Sequence, residues 1–264
     1  MHATFNGMKL AYADEGKGPA LVFVHGFPLN RATWQRQIDA FRPSYRVIAP
    51  DLRGLGESQA GSGPITMAQF AEDVQRLLQQ LTAAPVVLIG HSMGGYVALA
   101  FARQYPEMLR GLVLVATRAG NDTPEAAAAR RATAEKVKAE GSKVVVDAMV
   151  PKMLAASNHD PKMAEQVRGF MAPSKPEGVM GALLGMAERP DMTAMLPSIK
   201  VPTLVITGAD DTLIPPAESE KLANAIPGAR LNVIPQAGHL VAFEQPDAFN
   251  RVLKEWLDGL NLAS

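Results

Sequence analysis

A serine set among glycines, a histidine and a pair of aspartates are the residues whose types and order suit nucleophilic catalysis. The serine is Ser92, in the run Gly90-His91-Ser92-Met93-Gly94. Before it, Val86, Val87, Leu88 and Ile89 form a β-branched-rich run of the kind that makes a strand buried on both faces. After it, Tyr96, Leu99, Ala100 and Arg103 recur at helical spacing. Ser92 is therefore expected on a sharp corner joining a strand to a helix. Small residues two before and two after it let strand and helix close on each other, while a strained backbone exposes the hydroxyl. Gly90, Gly94 and Gly95 supply that room.

A serine hydroxyl is a poor nucleophile at neutral pH, so it needs a base, and the base needs an orienting group. Downstream, "VITGADDTLIPP" places Asp210 and Asp211 just past one strand-like run, and "IPQAGHLVAFEQP" places His239 just past the last. The chain order is serine, acid, histidine, all at carboxyl ends of strands, where open α/β sheets build their sites. Either aspartate could serve. "FVHGFP" puts His25, Gly26 and Phe27 at the end of an early strand, where the Phe27 backbone N–H can join that of Met93 to hold an oxyanion. The stretch "DLRGLGES" offers Gly54 and Gly56 for a tight loop and Arg53 as a structural ion-pair partner. Its glycines do not complete a dinucleotide fingerprint, and no phosphate-binding lysine follows. The remaining histidines, His2, His25, His91 and His159, form no spaced ligand set and the chain has no cysteine, so neither metal nor organic cofactor is expected.

These residues need a scaffold, and the hydrophobic patterning supplies one. Asn6-Gly7 suits a two-residue hairpin turn, so the chain is expected to open with an antiparallel edge. Strand-like runs ("ALVFVHG", "YRVIAPD", "APVVLIG", "LRGLVLVA") then alternate with helical patterns at 31–41, at 66–81 and after Ser92. The alternation resumes with "VPTLVITG", a helix at 218–225, "ARLNVIP" and a helix at 246–260. This predicts an α/β protein with a mostly parallel central sheet flanked by helices on both faces. The pattern breaks between about 117 and 197, where the composition is helical throughout. The expected organisation is a core of residues 1–117 and 198–264 with an inserted helical cap at 118–197. Most of the methionines lie in that insertion, and a flexible, polarizable cluster can line an adaptable apolar pocket. Met149, Met153 and Met180 are the expected pocket residues, with Arg118 placed at a strand end to meet a substrate carboxylate.

With 264 residues, one large domain is expected. The 26 basic and 26 acidic residues balance, which gives no footprint for nucleic acid or an anionic membrane and points to a small neutral partner. No charged segment followed by an apolar stretch opens the chain, so a cytoplasmic protein is expected.

The motifs "HGFP", "DLRGLGES", "GHSMGG", "GADDTLIP" and "AGHLVAFEQP", in that order, resemble those of the α/β-hydrolase superfamily over essentially the whole chain. The resemblance is to its small cofactor-free members: carboxylesterases, enol-lactonases and haloperoxidase-like perhydrolases. It implies Ser92 as nucleophile, His239 as base, the Phe27 and Met93 amides as oxyanion hole, and a helical cap. It also favours Asp211 as the acid, because relatives carry it three residues after the strand-end glycine, here Gly208. Haloalkane dehalogenases and epoxide hydrolases carry aspartate at the place of Ser92, and many carbon–carbon bond hydrolases carry asparagine at the place of His91. The aromatic-rich cap segment of enol-lactonases is not visible. The expectation is a serine hydrolase of short- to medium-chain carboxylic esters, with an enol-lactonase or perhydrolase of the same fold as alternatives. A slow-turnover, ligand-sensing regulatory hydrolase is the reading from another class.

Overall fold

The computed structural model describes residues 1–5, 7–260 and 262. The chain opens with an antiparallel hairpin of β1 (His2–Phe5) and β2 (Met8–Glu15), whose register pairs Phe5 with Met8. Gly7 has φ 74, as such a turn requires; Asn6, the other residue of the expected turn, lies outside the described residues. There follow β3 (Ala20–Val24), a 3₁₀ turn at Arg31–Trp34, α1 (Gln35–Phe41), β4 (Arg46–Pro50), α2 (Met67–Gln80), β5 (Val86–His91), α3 (Met93–Gln104) and β6 (Leu109–Val115). Four helices then intervene: α4 (Pro124–Glu140), α5 (Lys143–Met153), α6 (Pro161–Met171) and α7 (Pro176–Ala187). The chain closes with β7 (Thr203–Gly208), α8 (Pro216–Ala225), β8 (Arg230–Ile234), the short α9 (Val241–Glu244) and α10 (Pro246–Asp258).

Among the described residues, eight strands form one sheet in the order β1-β2-β4-β3-β5-β6-β7-β8. From β4 onward every pairing is parallel, and β2 joins β4 antiparallel. Parallel neighbours need crossovers, and the crossover helices cover both faces. Strand side chains alternate accordingly: Val22, Val24, Leu88, Leu112 and Leu114 pack with Phe70, Val74, Val97 and Leu222 of α2, α3 and α8. Leu21, Phe23, Val87, Ile89 and Val113 pack with Ile38, Phe41, Phe249 and Trp256 of α1 and α10. The central strands are therefore mostly apolar at successive positions, and β5 is buried from end to end.

Local signals set the helix ends. Thr66 accepts from the Gln69 N–H and the Gln69 side chain accepts from the Thr66 N–H, a reciprocal cap that starts α2 where the sequence predicts. Arg53 forms the expected ion pair, bidentate to Asp73, tying the loop after β4 to α2. A third apolar cluster joins Val146, Val150, Met153, Val167 and Met171 of α5 and α6 to Leu29 and Leu240 of the sheet-end loops and Phe243 of α9. No helix among the described residues is long and apolar enough to cross a membrane.

Candidate active site

Ser92 stands between the last residue of β5 and the first of α3 with φ 53 and ψ −116, a left-handed conformation that a side chain rarely adopts. Two glycines make the corner sterically feasible. A Cβ on Gly90 would lie 2.3 Å from the Gly94 carbonyl oxygen, and one on Gly94 would lie 2.3 Å from that of Val24. Hydrogen bonds hold what remains strained: the Ser92 N–H donates to Val115 O at 2.9 Å, and the Thr117 hydroxyl donates to Ser92 O at 2.8 Å.

The loops after β7 and β8 bring the other two side chains to this corner. His239 Nδ1 lies 2.8 Å from Asp211 Oδ2, and Nε2 lies 2.8 Å from Ser92 Oγ. A carboxylate only accepts, so Nδ1 carries the hydrogen and Nε2 offers its lone pair to the Ser92 hydroxyl. Asp211 is 4% exposed, and its second oxygen accepts from the N–H groups of Leu213 at 2.9 Å and Ile214 at 3.0 Å. Asp210 points away into solvent. The two adjacent carboxylates thus part company at the turn, and only Asp211 meets the histidine.

Two further histidines brace the site. The Leu52 N–H donates to His25 Nε2 at 2.9 Å, leaving His25 Nδ1–H to donate to Gly26 O at 2.8 Å. Burial lowers the pKa of His25 although Asp51 pulls it upward, so the ring is neutral and stitches the β3 loop to the β4 loop. His91 Nε2–H donates to His239 O at 2.9 Å, which couples the serine corner to the histidine loop. Burial, followed by the neighbouring His239, pushes its pKa well below the usual imidazole value. Glu244 is a positioning residue with no distinguishing mark in the sequence. Its buried carboxylate accepts from the Gly238 N–H at 2.7 Å, the Ala155 N–H at 3.0 Å and the Asn158 amide at 2.6 Å. With Leu240 N–H donating to Met153 O, this clips the end of α5 onto the loop that carries His239.

A cavity of about 140 Å³ lies against Ser92 and His239. Phe27, Tyr96, Leu213 and Ile214 wall it from the sheet side, Arg118 from the loop after β6, and Arg130, Met149 and Met186 from the inserted helices. Phe27 borders the cavity beside Ser92. Met93 heads α3 with its side chain wholly buried, and an N–H in a helix's first turn has no intrahelical acceptor. Arg118 and Met149 also reach the cavity. Met153 and Met180 do not. Met153 is fully buried in the cluster that seals α5 and α6 to the core, and Met180 packs half-buried against the main core from α7. Methionine's fit to irregular gaps serves such seams as well as it serves pockets.

Some wall residues carried a usable signal. Tyr96 lies one helical turn after Ser92, and Leu213 and Ile214 lie two and three residues after Asp211. Arg130 carried none, because with exposed Arg131 beside it the pair reads as a solvated helix face. A second cavity, of about 240 Å³, backs onto the first across Tyr96 and Arg118.

The model of the alpha/beta hydrolase fold family matches residues 19–246, and the chain belongs to that family. The thermophilic esterase of Thermogutta terrifontis, solved with malate bound, is 44% identical with a TM-score of 0.93, covering 98% of this chain and 96% of that one. The enol-lactonase of Burkholderia xenovorans superposes with a TM-score of 0.91 at 30% identity, over 98% of this chain and all of that one. In sequence, 3-oxoadipate enol-lactonase 2 of Acinetobacter baylyi is 30% identical over 98% of this chain and 96% of its own. The fold class and the superfamily resemblance expected from the motifs are thereby shown.

Proposed function

We propose that this protein is a serine hydrolase of small carboxylic esters, acting through an acyl-enzyme on Ser92. The observation that carries this reading is the hydrogen-bonded line from Ser92 Oγ through His239 to Asp211, each link 2.8 Å, bordering a cavity. Ser92 Oγ attacks the ester carbonyl carbon while its proton passes to His239 Nε2. That proton then goes to the alcohol oxygen as the C–O bond breaks. Water next attacks the acyl carbon, losing a proton to Nε2, which returns it to Ser92 as the carboxylic acid leaves. Asp211 keeps the imidazole in the tautomer that faces Ser92 and stabilises the imidazolium. The N–H groups of Phe27 and Met93 are the donors for the oxyanion of both tetrahedral intermediates.

In this reading the inserted helices are a cap, residues 118–197, over a core of 1–117 and 198–264, with Arg118 and Met149 in contact with substrate. The enol-lactonase relatives support lactones as neighbouring substrates, since a lactone is a cyclic ester opened by the same acyl transfer. A fluorophosphonate probe should label Ser92. Ser92→Ala should abolish labelling and lower ester turnover by at least about a thousandfold, leaving only the contribution of binding and the oxyanion donors. Undiminished turnover in Ser92→Ala would refute the assignment.

A further inference from the structure

The wall of the reaction cavity carries a charge imbalance that acyl transfer itself does not use. Asp122, on the loop between β6 and α4, accepts from three guanidinium groups: Arg118 Nη2 at 2.6 Å, Arg189 Nη1 at 2.7 Å and Arg130 Nε at 2.5 Å. Burial pushes this carboxyl up, but Arg130 and Arg189 outweigh burial and hold it at about 2. Asp122 is thus one negative charge among three guanidiniums, and the further acids Asp191 and Glu188 lie on the Arg189 side, away from the cavity beside Ser92. Arg189 is buried and engaged internally: Nη2 donates to Gly120 O at 2.6 Å, and its guanidinium lies 4.1 Å from the Tyr96 ring centroid. Arg118 and Arg130, by contrast, line the cavity beside Ser92 and His239, with side chains 30% and 25% exposed. Among the described residues lining that cavity there is no carboxylate. Arg118 also keeps a buried Nε–H without an acceptor.

Asp122 is a single anion shared by these partly desolvated cations, which face a wall of Met149, Met186, Leu213 and Ile214, and a second anion would balance them. A guanidinium fork matches a carboxylate in shape as well as charge. We propose that the substrate of this site carries a free carboxylate, held by Arg130 and Arg118 while its ester carbonyl meets Ser92. The class is half-esters of small dicarboxylic acids, or lactones bearing a carboxylate, with only a few carbons between the two groups because the cavity is small. The proposal rests on the reading of Ser92 as nucleophile. It replaces the neutral partner expected from the balanced charge of the whole chain, an average that hides a local excess.

The test compares kcat/KM within two pairs that share a scissile ester: monoethyl against diethyl succinate, and O-acetylglycolate against its ethyl ester. The first places the carboxylate on the acyl side and the second on the alcohol side. The wild type should prefer the anionic member of at least one pair by about tenfold or more, the factor one charge-assisted hydrogen bond supplies. Arg130→Gln, which keeps donors and loses charge, should bring that ratio towards one through KM. Arg131→Gln, on the exposed neighbour, should leave the ratio as it was. Succinate should inhibit the wild type competitively and Arg130→Gln more weakly. Preference for the neutral member in both pairs, or a ratio unmoved by Arg130→Gln, overturns the proposal while leaving the hydrolase reading intact. If no ester is cleaved and Ser92 is not labelled, that reading fails instead. Calorimetry with succinate then decides the present one, and absent or equal binding to wild type and Arg130→Gln overturns it. Should Arg130→Gln not fold, the wild-type ratios and succinate inhibition decide alone.

Discussion

The loops that end β5, β7 and β8 and the helices inserted between β6 and β7 both border Ser92, yet they are held in place by different forces. In the loops each functional residue is fixed, through its backbone or its side chain, by directional hydrogen bonds. Ser92 is held by Val115 and Thr117, Asp211 by Leu213 and Ile214, and the His239 loop by His91 and Glu244. In the insertion, Met149 and Met186 belong to helices seated by apolar packing, and the charged wall hangs on the single carboxylate of Asp122. Hydrogen bonds of defined angle fix atoms to the precision that proton transfer requires, whereas apolar contact is non-directional and tolerates repacking. On the proposed hydrolase reading, reaction type is set on the sheet and substrate preference on the insertion. Glu244 and the Leu240–Met153 bond are where the two meet.

The widest separation between the two regions is expected at the acid. Asp211→Asn should lower kcat by up to about 10⁴-fold, because the amide no longer selects the tautomer that presents Nε2 to Ser92. Asp210→Asn, one residue away and solvated, should change it little. Steady-state kinetics on one activated ester checks both, and equal losses would break the claim that the loop geometry decides between them.

The next effect divides the methionines within the insertion. Met153→Ala should cost about 2–5 kcal/mol of stability, as truncation of a fully buried side chain does, with the order of preference among ester chain lengths unchanged. Met149→Ala should do the reverse: a small change in stability and a shift in preference of about 1–3 kcal/mol per methylene of acyl chain. Denaturant titration and a chain-length series on both variants provide the comparison. A shifted preference in Met153→Ala with stability intact would erase the line between wall and seam.

The smallest effect is a slope. His91 is uncharged in the fold and its pKa is lowered well below the ordinary value, as is that of His25 to a lesser degree. Below about pH 6.5 the unfolded chain therefore binds protons there that the folded chain refuses. Stability should accordingly fall as pH drops through that value, by up to about 1.4 kcal/mol per pH unit for each such group. His91→Gln should flatten the decline. Asp122, whose carboxyl is held low, adds a second loss of stability only as the pH falls below about 4, the ordinary carboxylate value. An equally steep decline in His91→Gln between pH 6.5 and 5 would place the titrating group elsewhere.

The alternation of apolar runs, the glycines around Ser92 and the order serine, acid, histidine were all readable along the chain, because each reflects a constraint acting over a few residues. A buried parallel strand must be apolar at successive positions, and a strand that turns sharply into a helix has no room for Cβ atoms. The helix starts at Thr66 and the hairpin of β1 and β2 were legible for the same reason. Tertiary structure decided what depends on residues distant in sequence. Asp211 and Asp210 are neighbours of one type that the residues alone leave equivalent; the family resemblance favoured Asp211, and the packing of two loops turns its carboxylate to the ring of His239, 28 residues on. The eight methionines of the insertion share one chemistry, and only the seating of α5 and α7 separates Met149 and Met186 at the cavity from Met153 in a seam. Arg130 has the same local surroundings as Arg131, yet one guanidinium turns inward to Asp122 and the reaction cavity while the other meets water. Sequence patterning records which residues are apolar and which turns are tight. Which charge faces which is fixed only when helices far apart in the chain pack together.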